Sequence, residues 1–584
     1  VSTGIQERLG RIDCHTQLTE AEAVEVLGIP EFFPRQTRAI QGLLAGKNVL
    51  VVAPTGSGKS AVFQGAGLQV RGITLVISPL IALMQDQVDK LRAMGVSAGF
   101  LNSSISPKQQ DQIFKAFVAG HYKFLYTTPE RVLRADFRGA LRGLPIQFVA
   151  VDEAHVIDSW GQDFRTDYVK LAPVIREMKP KAVVALTATA GARVARVVEK
   201  ALGVTFSDAV VASPDRPNLE YRVATGNPWV LTRQLLQASS GSPRSIVYTN
   251  TVAEARELRD ALATAIPSLR FGLYVGPLSG NDRRLQQHRF EEHSLDVMVA
   301  TNAFGLGVNY PDIRNVIHVA LPVSLDSYVQ EAGRCARDGQ PGVCSLFLPI
   351  NYIGTPKWML AQKNPATNEI RRVYEFYRRH PDPVVRVTAA DIAEELFHHA
   401  GEAPKVATIK AVLRRYDLIQ CWQEKTPPPE IKILQDPRTY GIPGVGARGL
   451  ETARAVFDWI AEWAPATGPD THQVDAKRAA MHLGVHEGTV TKYLKKAEGA
   501  RRIVIKKPGK TPSCVKVIRQ DYWVDEVELE DKRCTDNAKL DAMVRYAKEA
   551  RTSEQAHTFI RDYFRVEEIE TQRGLGGGLV DLWA

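Results

Sequence analysis

Residues Ala53–Ser60 read Ala-Pro-Thr-Gly-Ser-Gly-Lys-Ser, and Asp152-Glu153-Ala154-His155 follows the apolar run Phe148–Val151. Gly56 and Gly58 let backbone N–H groups close around phosphate oxygens, where a side chain would block the approach. Pro54, Thr55 and Ser57 complete that loop. Lys59 can reach the β- and γ-phosphates of a nucleoside triphosphate, and the Ser60 hydroxyl can sit on a magnesium ion. Asp152, leaving a buried strand, would complete the metal site, and Glu153 would orient the attacking water. Ala53 stands where the usual pattern has Gly. Either motif alone could arise by chance. The pair, in this order and each behind an apolar strand (Val49–Val52 and Phe148–Val151), indicates nucleoside-triphosphate hydrolysis.

A third motif lies in Tyr328–Gly339, which contains Gln330, Arg334 and Arg337. Two arginines three apart on one helical face can point at a γ-phosphate, and such a finger contributes on the order of 10³–10⁵ in rate. The plainer reading is a structural salt bridge. Because the arginines belong to a later α/β unit, hydrolysis would be tied to closure of an interdomain cleft.

The elements that must position these groups follow from an alternation of short apolar runs with helical patterns. Val49–Val52, Thr74–Ser78, Phe124–Thr127, Phe148–Val151 and Val183–Leu186 read as strands, and Ser213–Asn218 as a linker. The pattern restarts with Ser245–Tyr248, Arg270–Leu273, Val297–Ala300, Val316–Val319 and Cys344–Leu348. Strands alternating with helices imply parallel sheets covered on both faces, with ligands beyond the carboxyl ends of the strands. The domains expected are residues 1–212, 213–350, 351–435, 436–520 and a C-terminal helical hairpin with a tail at 521–584. Two winged-helix candidates fall at Thr388–Ile419 and Asp475–Lys507. The second gathers Lys492, Lys495, Lys496, Arg501, Arg502, Lys506 and Lys507. That face is either a solvated basic surface or a contact for duplex nucleic acid.

At 584 residues, 44% hydrophobic and 24% charged, the chain is too long for one core. No apolar run approaches the roughly 18–20 residues that cross a bilayer, and no signal segment is seen. Six scattered cysteines without a Cys-x-x-Cys pair argue against a disulfide framework and fit a cytoplasmic protein, nucleoid-associated if bacterial. The net charge of +9 is compatible with nucleic acid, as it is with many enzymes that never touch it.

In combination the motifs resemble superfamily 2 helicases, and the RecQ DNA-helicase family in particular, over roughly residues 20–350. Phe32-Phe33-Pro34-Arg35-Gln36 resembles the adenine-reading segment, with Gln36 at the selecting glutamine. Ile77–Gln87 and Tyr126–Glu130 resemble strand-contacting motifs, Leu186–Ala190 the coupling motif, and Val247–Asn250 and Val299–Asn309 their second-lobe counterparts. After Asp-Glu-Ala-His, Val156–Tyr168 resembles the family's aromatic loop: Trp160 and Phe164 offer π-faces and Arg165 a cation. Stacking on unpaired bases contributes about 1–3 kcal/mol per base whatever the sequence. Gln162 replaces a common His, and Cys335-Ala336 replaces Ala-Gly in what is expected to remain helix. The four zinc-binding cysteines expected after the second lobe are missing, so no zinc is expected. Lys539–Phe564 faintly resembles the helical part of that module, displaced to the C-terminus.

The resemblance implies two tandem RecA-like α/β domains followed by a mainly helical C-terminal region with winged-helix candidates. It implies an ATP- and Mg²⁺-dependent helicase acting on single-stranded and duplex DNA, with 3′→5′ polarity, in repair or recombination. His155 and Gln330 would couple the lobes, with Gln85, Thr128, Trp160, Phe164, Arg165, Thr249, Asn250 and Thr301 contacting DNA. Two alternatives stay open: a translocase that displaces proteins without unwinding, and an ATP-switched DNA-binding subunit of a larger repair or defence complex.

Overall fold

The computed structural model describes residues 11–54, 57–79, 81–102, 105–158, 167–187, 192–211, 215–239, 244–304, 310–423, 430–436, 447–464, 466–468, 471–485, 487–506 and 513–574. The chain divides into two units, one of Val1–Thr367 with Asp525–Ala584 and one of Asn368–Val524.

The first unit holds two parallel sheets. Strands β1 (Val49–Val52), β2 (Ile73–Ile77), β3 (Ala98–Leu101), β4 (Phe124–Thr127), β5 (Ile146–Val151), β6 (Ala182–Thr187) and β7 (Asp208–Val211) run in the order β3-β4-β2-β5-β6-β1-β7. Alternate residues serve opposite faces, as the two-residue period of a strand requires. Leu50 and Val52 join one apolar cluster with Val149 and Val151, while Val49 and Val51 join another with Phe148 and Ala150. Helices α1 (Pro34–Leu44), α2 (Lys59–Leu68) and α3 (Ala192–Leu202) belong to this lobe.

The second lobe orders β8 (Leu219–Thr225), β9 (Ser245–Tyr248), β10 (Phe271–Tyr274), β11 (Val297–Ala300), β12 (Asn315–His318) and β13 (Gly342–Leu348) as β10-β11-β9-β12-β13-β8. Val247, Val299 and Ile317 pack on one face. The other face carries Tyr221, Tyr248, Met298 and Leu346, along with Tyr328 of helix α4 (Leu325–Ala332).

Among its described residues the second unit pairs its strands antiparallel. Strands β14 (Val385–Val387), β15 (Ile419–Gln423) and β20 (Ser513–Val517) form one sheet in the order β14-β20-β15. Together with the helices Thr367–Arg379, Ala389–Phe397 and Ala403–Arg415 they make a winged-helix succession of elements. Between β15 and β20 the chain builds a second sheet, β17-β18-β16-β19, from β16 (Glu430–Ile433), β17 (Ala466–Gly468), β18 (Thr471–Gln473) and β19 (Ile503–Lys506). Its helices are Ala447–Trp463, α5 (Ala476–Leu483) and α6 (Glu487–Gly499). The sequence reading set two modules in series with boundaries at 435 and 520. Strand pairing instead nests the second inside the wing of the first, since Gln423 and Ser513 are paired neighbours.

Helices α7 (Glu526–Glu549) and α8 (Ser553–Gly574) form a hairpin that returns to the first unit. Leu540, Met543, Tyr546 and Ile560 enter the second lobe's apolar cluster, and α8 also packs along α3 of the first lobe.

Candidate functional site

The phosphate loop leaves β1 at Ala53 and ends at Gly58, the left-handed residue (φ 78°) that opens α2. The conformation favours glycine, and a Cβ there would lie 2.6 Å from Gln36 Nε2 and displace that side chain from the loop. Gln36 holds the loop from the side: its Nε2 donates to the Gly58 carbonyl at 3.1 Å, and its Oε1 accepts from Phe33 N–H at 2.9 Å. One N–H and one lone pair of the amide remain for an adenine edge. Phe33, Arg35, Gln36, Val51, Val62 and Val210 are among the residues that line a cavity of about 250 Å³ beside the loop. Ser57 donates to the Pro54 carbonyl at 2.7 Å, and Ser60 sits in the first turn of α2. Thr55 and Gly56 lie outside the described residues.

Lys59 Nζ donates to the Ala53 carbonyl at 2.7 Å. Burial lowers its pKa, Glu153 and Asp152 oppose that shift, and the charge of Arg337 from the other lobe adds to it. Asp152, at the end of β5, is pushed up to about 7 by burial and by Glu153, with Lys59 opposing. A buried carboxylate with so little cationic compensation fits a site built to receive a metal ion. Glu153 is held at φ 49°, a left-handed conformation rare outside glycine, which turns the chain sharply after β5. Its buried Oε2 accepts no hydrogen bond and lies 3.4 Å from His155 Nδ1. His155 Nδ1 also stands 3.3 Å from the Thr187 hydroxyl at the end of β6, so the Asp-Glu-Ala-His turn touches the start of the expected coupling motif. Burial, foremost, holds His155 below its ordinary pKa.

The arginines occupy a different local structure from the one expected. Helix α4 ends at Ala332, and Arg334 and Arg337 sit in the turn that follows it. Ala336 has φ 47°, the region that favours glycine, which gives a physical reason for the family's Gly there. The turn is held from a distance: the Arg216 guanidinium donates to the carbonyls of Gly333 (3.1 Å), Cys335 (2.7 Å) and Ala336. Asn218 Nδ2 donates to Ala336 and Gln340 at 3.0 and 2.8 Å. Arg216 and Asn218 were read as linker; the only sequence signal was a charged, Pro-flanked segment just ahead of β8. Burial, then Arg334 and Arg216, lower the Arg337 guanidinium to about 9. Three guanidinium groups gathered in this way fit a polyanionic ligand such as a triphosphate. Gln330 lies half-buried on α4.

The expected strand contacts divide in two. Gln85 is exposed on the helix after β2, and Thr128 is buried just after β4, β2 and β4 being paired neighbours. Thr249 and Thr301 follow the paired strands β9 and β11, and both are buried. The Thr249 hydroxyl donates to the Thr251 carbonyl at 3.0 Å, and Asn250 Nδ2 to Leu321 at 3.0 Å. Trp160, Phe164 and Arg165 lie outside the described residues. A contact not foreseen ties the C-terminal hairpin to α4. The buried Asp326 accepts from Tyr563 Oη at 3.0 Å and Lys539 Nζ at 3.4 Å, and the charges of both Lys539 and Asp326 reach His155.

Family models for the DEAD/DEAH box helicase and the helicase conserved C-terminal domain match residues 33–197 and 229–339. The ATP-dependent DNA helicase RecQ of Bacillus subtilis is 38% identical over 338 residues, 57% of this chain and 57% of its own length. The probable ATP-dependent DNA helicase RecS of the same organism is 37% identical over 354 residues, 60% of this chain and 70% of its own. The RecQ of Pasteurella multocida is 34% identical over 365 residues, and this chain covers 57% of its length. The chain thus spans little more than half the length of the RecQ proteins it matches. With the phosphate loop, the Asp-Glu-Ala-His turn and the arginine turn placed in one two-lobed unit, the chain belongs to the RecQ-like superfamily 2 helicases.

Proposed function

We propose that this protein is an ATP- and Mg²⁺-dependent motor that moves 3′→5′ on single-stranded DNA and separates duplexes. The observation that carries the reading is that Lys59, in the first lobe, feels the charge of Arg337, in the second, together with those of Glu153 and Asp152. Chemistry that needs all four groups proceeds only when the lobes are together, so turnover can be converted into relative motion. Ser60 and Asp152 would hold Mg²⁺, which on binding supplies charge neutralisation to the phosphates. Lys59 leaves the Ala53 carbonyl for the phosphates, Glu153 orients water with its carboxylate, and Arg334 and Arg337 stabilise the charge that develops. His155 reports this state through Thr187. The reading includes no structural zinc; its support is the scatter of the six cysteines. Among the described residues no helix is long and apolar enough to cross a membrane.

The test is steady-state ATPase with single-stranded DNA, duplex DNA, RNA or no polymer. Single-stranded DNA should stimulate strongly, and Trp160→Ala should keep basal turnover while losing the stimulation. Lys59→Ala and Glu153→Gln should leave less than roughly a tenth of wild-type turnover. Equal rates under all conditions would refute the motor.

A further inference from the structure

The module nested between β15 and β20 carries a surface that the motor reading does not use. Residues 471–506 contain eight lysines and arginines against three acids. Two of those acids are occupied: Asp475 caps α5 by accepting from Lys477 and Arg478 N–H, and Glu498 accepts from Ile505 N–H at 3.4 Å. Gly484, left-handed at φ 65°, ends α5 and turns the chain towards α6. One face of α6, with Val490, Tyr493, Leu494 and Ala497, is buried against Val456, Phe457 and Ile460. At 100° per residue the opposite face collects Gly488, Thr489, Lys492, Lys495, Lys496 and Gly499, with no carboxylate among them. Lys492 and Lys495 are exposed, as are Lys477 and Arg478 on α5 and Arg501 beyond the helix.

We propose that this face binds B-form duplex DNA, with α6 entering the major groove and the lysines on phosphates. The 13 residues of α6 make a rod roughly 20 Å long, and the groove, about 12 Å wide, admits a helix. Small residues at both ends of the solvent face allow close approach to the backbone. The solvent face of α6 holds no Arg, Asn or Gln, and its lysines are placed on phosphates, so binding is mainly to the backbone and largely tolerant of sequence. The deep, narrow groove of A-form RNA would not admit the helix. This function goes beyond the motor and is independent of hydrolysis.

The experiment is fluorescence anisotropy without nucleotide, using the full chain and a blunt DNA duplex of about two turns (~20 bp), over a salt series. The K492A/K495A/K496A variant should bind the duplex about tenfold more weakly, with the log K against log salt slope reduced by about 3. Its ATPase stimulation by single-stranded DNA should equal wild type, and K492R/K495R/K496R should keep wild-type affinity. Duplex affinity unchanged by the alanines would overturn the site. So would a parallel loss of single-strand stimulation, or equal binding to an RNA duplex. Because no ATP is present, a failed motor assay leaves this result standing.

Discussion

Lys123 is fully buried in the first lobe, where its Nζ donates to the carbonyls of Thr16 (2.6 Å) and Val70. Burial lowers the amine to about 8, with Cys14 and Asp13 opposing. Because the folded value lies below that of the unfolded chain, the unfolded state binds more protons between about pH 8 and the ordinary lysine range. The residue's contribution to stability is therefore smallest below pH 8 and rises with pH through that window. Unfolding of the first lobe, followed for wild type and Lys123→Met at pH 7.5 and 9.5, should show the difference move by about 2 kcal/mol in favour of wild type at the higher pH. The same difference at both values would mean that the amine keeps its charge inside. The site itself uses the same device. Burial moves Asp152, Lys59 and Arg337 each towards neutrality, and the opposite charges of a bound triphosphate and its metal would favour the charged form of each.

At the scale of elements, the hairpin α7–α8 packs within the unit that carries the phosphate loop and the arginine turn. Tyr563 and Lys539 hold Asp326 at the start of α4, the helix that leads into the arginine turn. Removing one hydrogen bond to a buried carboxylate by Tyr563→Phe should lower single-strand-stimulated kcat by about threefold to tenfold. The KM for ATP should change little. A lower melting temperature with unchanged kcat would assign the tyrosine to packing alone. The central strands, the phosphate loop and the Asp-Glu-Ala-His turn were legible in the sequence because each is a local pattern. In the two lobes the strands that went unread, β3, β7 and β8, are all sheet edges. Ala98-Gly99 in β3 and the alternately exposed Leu219–Thr225 lack the continuous apolar signal of a central strand. The arginine turn read as helix because its residues are small and helically spaced. What ends the helix is Arg216, more than a hundred residues away, bonded to three carbonyls of the turn. The closing strand β20 was hidden for the same reason, since its partners β14 and β15 lie on the far side of an inserted module.

For the whole molecule, the order of the chain is not the order of its parts. The first unit is interrupted by residues 368–524 and completed only from Asp525 onward. Tyr328 and Tyr546 pack with ring centroids 5.2 Å apart, and His557 stands edge-on to Tyr221 at 5.0 Å, so the hairpin covers an aromatic face of the second lobe. Deleting residues 525–584 should therefore abolish ATPase and shift the protein into aggregates on size exclusion. Replacing residues 424–512 by a two-residue Asn-Gly turn should leave ATPase within about twofold, because Gln423 and Ser513 already face each other. A soluble, active C-terminal deletion would show that the cover is dispensable. The same topology bears on synthesis. Ribosomes add about 5–20 residues per second, so the second lobe waits on the order of ten to forty seconds between the emergence of β13 and that of its cover. During that interval its aromatic face is available to any other nascent chain, and the demand for chaperones falls in the middle of translation.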